Sequence, residues 1–266
     1  MRIALGVPTT PWVPERAASM ARLKAQLDVP AWSDRIYHEF TDRAPNWVWS
    51  VELWQWLYDT GAEWCMQLQD DVVAAPCFWP ALRAMLSSLP EDADIIGLSA
   101  VHPMATEWAR RGHRWYKTDC LLVGWAYVIR REAMGIFLDQ RADLTRRYGK
   151  ACEDVLLGQF ARETERGVWH PCPTIVDHDT SIPSSYQNDD HSTRRPQVTW
   201  RDYGEGSLTD PTWWKPGAKT ATLPMPSQRL CWMCQAEDIR AQSSNGVGIC
   251  GKCIGACLGS FMQGGR

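Results

Sequence analysis

The chain has 266 residues and a formal net charge of −3, with 45% hydrophobic and 22% charged residues. That composition is the one expected of a soluble globular protein, long enough for one sizeable α/β domain with an appendage and too short for two full domains. The slight acidity excludes a polycation that coats nucleic acid by bulk charge, and the longest uncharged apolar runs, such as 121–129, fall far short of the roughly 18 residues of a membrane span. The N-terminus runs straight into a strand-like stretch with no apolar signal region, so a cytoplasmic location is expected. Ten cysteines are present, five scattered before position 173 and five crowded between Cys231 and Cys257. That asymmetry suits a reducing compartment and one metal site.

In chain order, 2–7 reads as a first strand, ended by Pro8-Thr9-Thr10-Pro11, after which Pro14 opens a helix carrying Met20, Leu23 and Leu27. A second strand is expected at 35–40. Trp47, Val51, Trp54 and Tyr58 then recur at steps of four, three and four, the stripe of an amphipathic helix closed by Gly61. The segment 64–68 is a third strand, followed by a helix over 78–89 and a strand over 94–98. The stretch 107–117 is basic and aromatic and less regular. Beyond it come a strand or hairpin at 120–129, a helix at 131–140, another beginning near 152, and strands at 168–170 and 174–178. Alternating strands and helices with short links imply an α/β fold with a mixed, mostly parallel sheet. Past residue 181 the regular signal fades into a stretch rich in Pro, Ser, Thr and Asp with Trp200, Tyr203, Trp213 and Trp214 interspersed, read as a tail that wraps the main domain.

The most informative segment is Trp64-Cys65-Met66-Gln67-Leu68-Gln69-Asp70-Asp71. An apolar strand that delivers two carboxylates at its C-terminal end places them at the edge where α/β sheets bind ligands. Adjacent carboxylates repel unless a cation lies near them, and a hard divalent cation takes oxygen ligands and shares them with phosphates. An isolated Asp-Asp is otherwise an ordinary solvated turn.

The order of segments resembles a nucleotide-sugar glycosyltransferase of the GT-A fold. The resemblance rests on Gly61-Ala62-Glu63-Trp64 leading to Gln69-Asp70-Asp71-Val72 and Pro76, then 94–98, Gly124-Trp125-Ala126-Tyr127, Cys152-Glu153-Asp154-Val155, and Pro173 through His178 to Ser184-Ser185. It covers about residues 1 to 185. It implies that Asp71 ligates a Mn²⁺ or Mg²⁺ ion bound to the donor diphosphate, with Asp70 on the metal or the sugar nucleotide and His178 completing the shell. Gln69 stands where the family has Asp or Glu, and a glutamine still hydrogen-bonds a hydroxyl. Asp154, beside Glu153, takes the place of the general base that deprotonates the acceptor during inversion. Acids in the first turn of a helix are also favoured by its dipole alone, and His178 alone would read as a satisfied histidine at a strand end. Donor contacts are implied for Pro8, Thr9, Thr10 and Arg16, and for Asp42 and Arg43, where an arginine meets a phosphate. The family's habit makes UDP the expected nucleotide.

Cys231-Trp-Met-Cys234 and Cys250-Gly-Lys-Cys253 are two Cys-x-x-Cys pairs separated as in a tetrahedral Zn²⁺ site. Two disulfides are the competing account. Four thiolates leave no open position, so this zinc is structural, and a segment this small draws much of its folding free energy from the metal. The chain thus reads as a GT-A domain over 1–185, a Trp-rich tail over 186–228 and a zinc ribbon or knuckle over 229–266. Such a knuckle either touches nucleic acid or serves only as a staple. Arg110, Arg111, Arg114, Trp115 and Lys117, with Trp125, are candidates for holding an acceptor by phosphate contact and stacking, although aromatic faces suit sugars equally. A GT-A enzyme fused to a zinc module resembles bacteriophage enzymes that glycosylate hydroxymethylated pyrimidines in DNA, in which the target base leaves the stack. A glycan or protein acceptor, and a non-catalytic nucleic-acid-binding protein on the same scaffold, are the alternatives.

Overall fold

The computed structural model describes residues 1–28, 35–40, 46–148, 153–182, 196–216, 221–222, 239–242 and 248–250, with side chains left undescribed over 35–49, at 153 and 154, and from 217 onward. Its elements in chain order are β1 (Ile3–Pro8), α1 (Pro14–Gln26), β2 (Arg35–Phe40), α2 (Asn46–Asp59), β3 (Trp64–Leu68), β4 (Val72–Ala74), α3 (Phe78–Ser88), β5 (Ile95–Gly97), α4 (Ala105–Arg110), β6 (Trp115–Thr118), β7 (Ala126–Arg130), α5 (Arg131–Tyr148), α6 (Glu153–Glu163), β8 (Val168–Pro171) and β9 (Val176–His178). Two short 3₁₀ turns (Trp200–Asp202 and Pro211–Trp214) flank α7 (Glu205–Thr209), and β10 (Ala221–Thr222), β11 (Ile239–Gln242) and β12 (Gly248–Cys250) follow.

Eight strands form one mixed sheet in the order β10-β6-β8-β5-β7-β3-β1-β2. β1 runs parallel to both β2 and β3, and β5 parallel to β8, whereas β7 is antiparallel to its neighbours β3 and β5. A separate antiparallel pair joins β4 to β9.

Because side chains alternate along a strand, each central strand feeds two cores. Ile3, Leu5, Val7, Trp64, Met66, Leu68, Ala126 and Val128 pack on one face with residues of α1 and α3. Ala4, Cys65, Tyr127 and Ile129 pack on the other with α2, α5 and α6. Both faces are covered, which is why β3 reads as an unbroken buried run instead of an alternating one. Its single polar member, Gln67, is fully buried: it donates to Gly124 O at 3.2 Å and accepts from the Tyr127 hydroxyl at 2.7 Å. Gly61 takes φ +67° after α2, the left-handed turn that lets the chain reverse into β3 without a Cβ penalty.

The chain divides into two compact units, one of residues 1–183 with 194–222 and one of 184–193 with 223–266. In the first unit, the tail supplies Trp200, Leu208 and Trp214 to the core on the α1 and α3 face. Trp214 is fully buried and donates its indole N–H to Leu208 O at 2.7 Å, while Trp115 donates to Trp214 O at 2.6 Å. In the second unit, β11 and β12 form an antiparallel hairpin in which Ile239 faces Cys250. No helix among the described residues is long and apolar enough to cross a membrane.

Candidate functional site

Strand register brings the acidic pair to its partners. β1 and β3 lie side by side with Gly6 opposite Gln67, so the loop after β1 and the acids after β3 leave the same end of the sheet. Beyond Leu68, the Gln69 amide donates to Trp125 O at 2.8 Å, which fixes Trp125 beside the turn. Immediately after Asp71, β4 pairs with β9 so that Val72 faces His178, and the Asp179 amide donates to Asp71 O at 2.9 Å. Residues more than 100 positions apart in sequence thereby meet at one turn.

Asp70 and Asp71 are 1% and 2% exposed, and the guanidinium of Arg16, 7% exposed, lies across them. Arg16 Nη1 pairs with Asp70 Oδ1, and Nη2 lies 3.2 Å from Asp71 Oδ2. The second oxygen of Asp70 accepts from the Thr10 amide at 3.0 Å. His178 Nε2 lies 3.3 Å from Asp71 Oδ2, and the indole of Trp125 stacks on the imidazole at 5.4 Å between centroids and 13° between planes. Asp71 Oδ1, Thr10 Oγ1 and Trp125 Nε1 are buried without a hydrogen-bond partner in the structure. Such orphaned polar atoms cost free energy, and those named lie on residues of one site.

The environments of the two acids differ. Burial pushes the Asp70 carboxyl above its ordinary range; Arg16 opposes that shift and the neighbouring Asp71 charge adds to it. Burial acts on Asp71 in the same sense, yet its hydrogen bond to His178, the charge there and Arg16 together hold it below the usual carboxylate range. Around them, Asp177 accepts from the His178 amide at 2.8 Å and pairs through Oδ2 with Arg201 of the tail. Asp179 pairs with Arg22 at 2.7 Å. The Asp177-His178-Asp179 run frames the site on this side, and its density of acids is a signal present in the sequence, of which the motif reading uses only His178.

The donor set available to a divalent cation is two carboxylates and one imidazole. Asp70 is turned toward Thr10 and Arg16, so Asp71 and His178 are the pair that face each other, and among the described residues no group of three His, Cys, Asp or Glu side chains is arranged to hold a metal ion. A cation bound here would use Asp71 and His178 and take its remaining ligands from elsewhere, which fits a metal shared with phosphate oxygens. The orphaned Asp71 Oδ1 is the atom that most needs one.

The other sequence candidates are spread out. Pro8 and Thr9 are buried in and just after β1, and Gln69 is half-buried in the turn. Asp42 and Arg43 lie outside the described residues. Glu153 and Asp154 occupy the first turn of α6 with their side chains undescribed; further along α6, Gly158 packs on the 120–121 segment, where a Cβ would come within 3.3 Å of Leu121 N. Arg110 and Arg111 are exposed, with Arg111 paired to Glu107 at 2.8 Å. Arg114 lies 3.4 Å over the Trp213 ring and Lys117 5.3 Å from the centre of Trp169. Trp115 is 1% exposed, and its face is used by Trp169 and Trp214, which leaves none for a base or a sugar. Trp125 is equally enclosed, against His178. Of the four zinc candidates, Cys250 ends β12 with its side chain undescribed, and Cys231, Cys234 and Cys253 lie outside the described residues. Cys65, Cys77, Cys120 and Cys172 are buried and form no disulfide among the described residues.

No protein-family model and no curated protein matches the chain. Among solved structures it is similar to A197 from STIV (15% identity, TM-score 0.42, 67% of this chain and 85% of that one). It is also similar to mannose-1-phosphate geranyltransferase from Thermus thermophilus (11% identity, TM-score 0.40, 72% and 81%). A third is a glycosyltransferase involved in the glycosylation of the major capsid of PBCV-1 (11% identity, TM-score 0.29, 53% and 67%).

Proposed function

We propose that the protein is a metal-dependent, inverting glycosyltransferase of the GT-A type that moves a sugar from a nucleotide donor, with UDP favoured, to a hydroxymethylated pyrimidine in DNA. The observation that carries the transferase reading is the acidic pair at the C-terminal end of β3, buried, adjoined by His178 and carrying an orphaned carboxylate oxygen. Carboxylates are kept out of water at such a point when something other than water is meant to meet them.

In this reading Asp71 and His178 hold Mn²⁺ or Mg²⁺, with Asp70 supporting them. When bound, that ion neutralises charge on the departing diphosphate. Thr10 and Arg16 on the loop and helix after β1 meet the donor. Asp154 takes the proton of the acceptor hydroxyl as that oxygen bonds the anomeric carbon and the bond from that carbon to the diphosphate breaks. Glu153 adds negative charge in the same turn of α6. The four cysteines hold a structural Zn²⁺. The DNA acceptor rests on the exposed basic residues Arg110 and Arg111 with Arg114 and Lys117, and on the two Cys-x-x-Cys pairs.

Incubation with a panel of sugar nucleotides, Mn²⁺ and hydroxymethylcytosine DNA, followed by digestion to nucleosides and mass analysis, is expected to give a nucleoside heavier by one sugar. Donor cleavage without a nucleoside adduct would move the acceptor to a glycan or protein. A second reading has its own observation: Arg16 already neutralises one of the two carboxylates, as it would in a scaffold that keeps the fold only for binding. In that case no sugar nucleotide is cleaved with or without metal.

A further inference from the structure

Two adjacent ionised carboxylates at 1% and 2% exposure need a counter-ion, and in this chain one is built in. The planar fork of Arg16 spans both acids, one nitrogen to each, which a point charge on a lysine could not do. Leaving the imidazole aside, the cluster of Asp70, Asp71 and Arg16 carries one net negative charge, and Asp71 Oδ1 is left without a hydrogen-bond partner. A cluster meant only to staple α1 to the sheet would be expected to use all four carboxylate oxygens. Here three are engaged, and the fourth sits on the acid that also faces an imidazole.

Resting on the metal-site reading above, we infer that Arg16 is an exchangeable counter-ion: its guanidinium pairs with both acids, and a divalent cation gains Asp71 by displacing it. The exchange replaces one positive charge by two and takes the cluster from one net negative charge to neutral. It breaks no covalent bond and moves no proton. Arg16 sits in the first turn of α1, from which its guanidinium reaches both acids. A diphosphate arriving with the cation offers the displaced guanidinium a new anionic partner, which couples donor binding to opening of the acids. In this arrangement the metal binds weakly by itself and more tightly with the donor.

The test is a Mn²⁺ titration of the full chain followed by electron paramagnetic resonance of the free ion, with wild type, Arg16→Gln, Arg16→Lys and Asp71→Asn side by side. Arg16→Gln is expected to bind Mn²⁺ at least about tenfold more tightly than wild type, because the competing charge is gone. Arg16→Lys should fall between them, and Asp71→Asn should bind none. Thermal unfolding gives an independent readout that also covers a poorly folded variant: Mn²⁺ should raise the midpoint of Arg16→Gln more than that of wild type. Equal affinity and equal thermal gain in wild type and Arg16→Gln would overturn the exchange while leaving the metal site standing. Weaker binding by Arg16→Gln would likewise overturn it, since Arg16 would then be shaping the site instead of competing for it. Absence of Mn²⁺ binding in every protein would remove the metal site itself, and the exchange with it.

Discussion

His170 offers a test of the fold that does not depend on any assignment of function. It is fully buried on β8 between β5 and β6, stacked on Tyr116 at 4.7 Å and 8°, with Nδ1 3.2 Å from Ser99 O and Nε2 3.0 Å from the Thr118 hydroxyl. Nδ1 faces the Ser99 carbonyl, which only accepts, and Nε2 faces the Thr118 hydroxyl, whose own proton goes to Cys120 O at 2.6 Å. Gly97 is required opposite it, since a Cβ there would come within 2.6 Å of the ring. Burial is the main reason that the imidazole titrates at about 4 instead of 6.5; hydrogen bonds to the backbone oppose the shift only in part. A folded-state value depressed below the unfolded one contributes stability that is present above about 6.5 and lost as pH falls through about 4. At about 1.4 kcal/mol per tenfold change in proton affinity, the drop corresponds to about 3 kcal/mol. Urea unfolding of wild type and His170→Gln from pH 7.5 down to pH 3.5 isolates this contribution, because the carboxylates titrate alike in both proteins and cancel. The stability advantage of wild type should shrink by about 3 kcal/mol over that range. Parallel pH profiles would refute the reasoning, because an imidazole that protonates without penalty is not enclosed as described.

Three further outcomes are expected. Asp154→Asn should leave donor binding intact, measured by calorimetry with a non-hydrolysable donor, and abolish transfer; undiminished transfer would exclude it as the base. Trp214→Ala removes a fully buried ring from the face shared with α3, together with its ring contact to Trp115 and its indole hydrogen bond to Leu208 O, so unit one should lose about 3–5 kcal/mol in denaturant unfolding. A loss below about 1 kcal/mol would mean that the tail is dispensable to the core. Metal analysis of the purified chain should find one Zn²⁺ per molecule, released by a thiol-modifying reagent, and Cys234→Ser should abolish it; a zinc-free chain with two disulfides would replace the knuckle by a covalent staple.

Much of the sheet and its helices could be read from the chain because the signals are local. The strand at β3 needs only its apolar run, and α2 only the spacing of its aromatic residues. The sequence also marked where the two carboxylates emerge, since a strand end is a local property. It did not reveal β4, three residues long and defined only by pairing with β9 about a hundred positions later. Nor did the basic and aromatic stretch at 107–117 betray its division into α4 and β6, which turns Trp115 inward and leaves Arg110 and Arg111 outside. A tryptophan followed by charged residues reads equally well as a stacking platform or as a buried strand position.

The sequence by itself determined the main alternation of strands and helices, the acids at 70 and 71, and the cysteine spacing, all of which depend on neighbours along the chain. Only the tertiary structure decided what faces those acids. Arg16, Thr10, Trp125 and His178 reach them from three other segments through strand register, and the counter-ion of a buried charge is chosen by proximity in space, which local spacing does not encode.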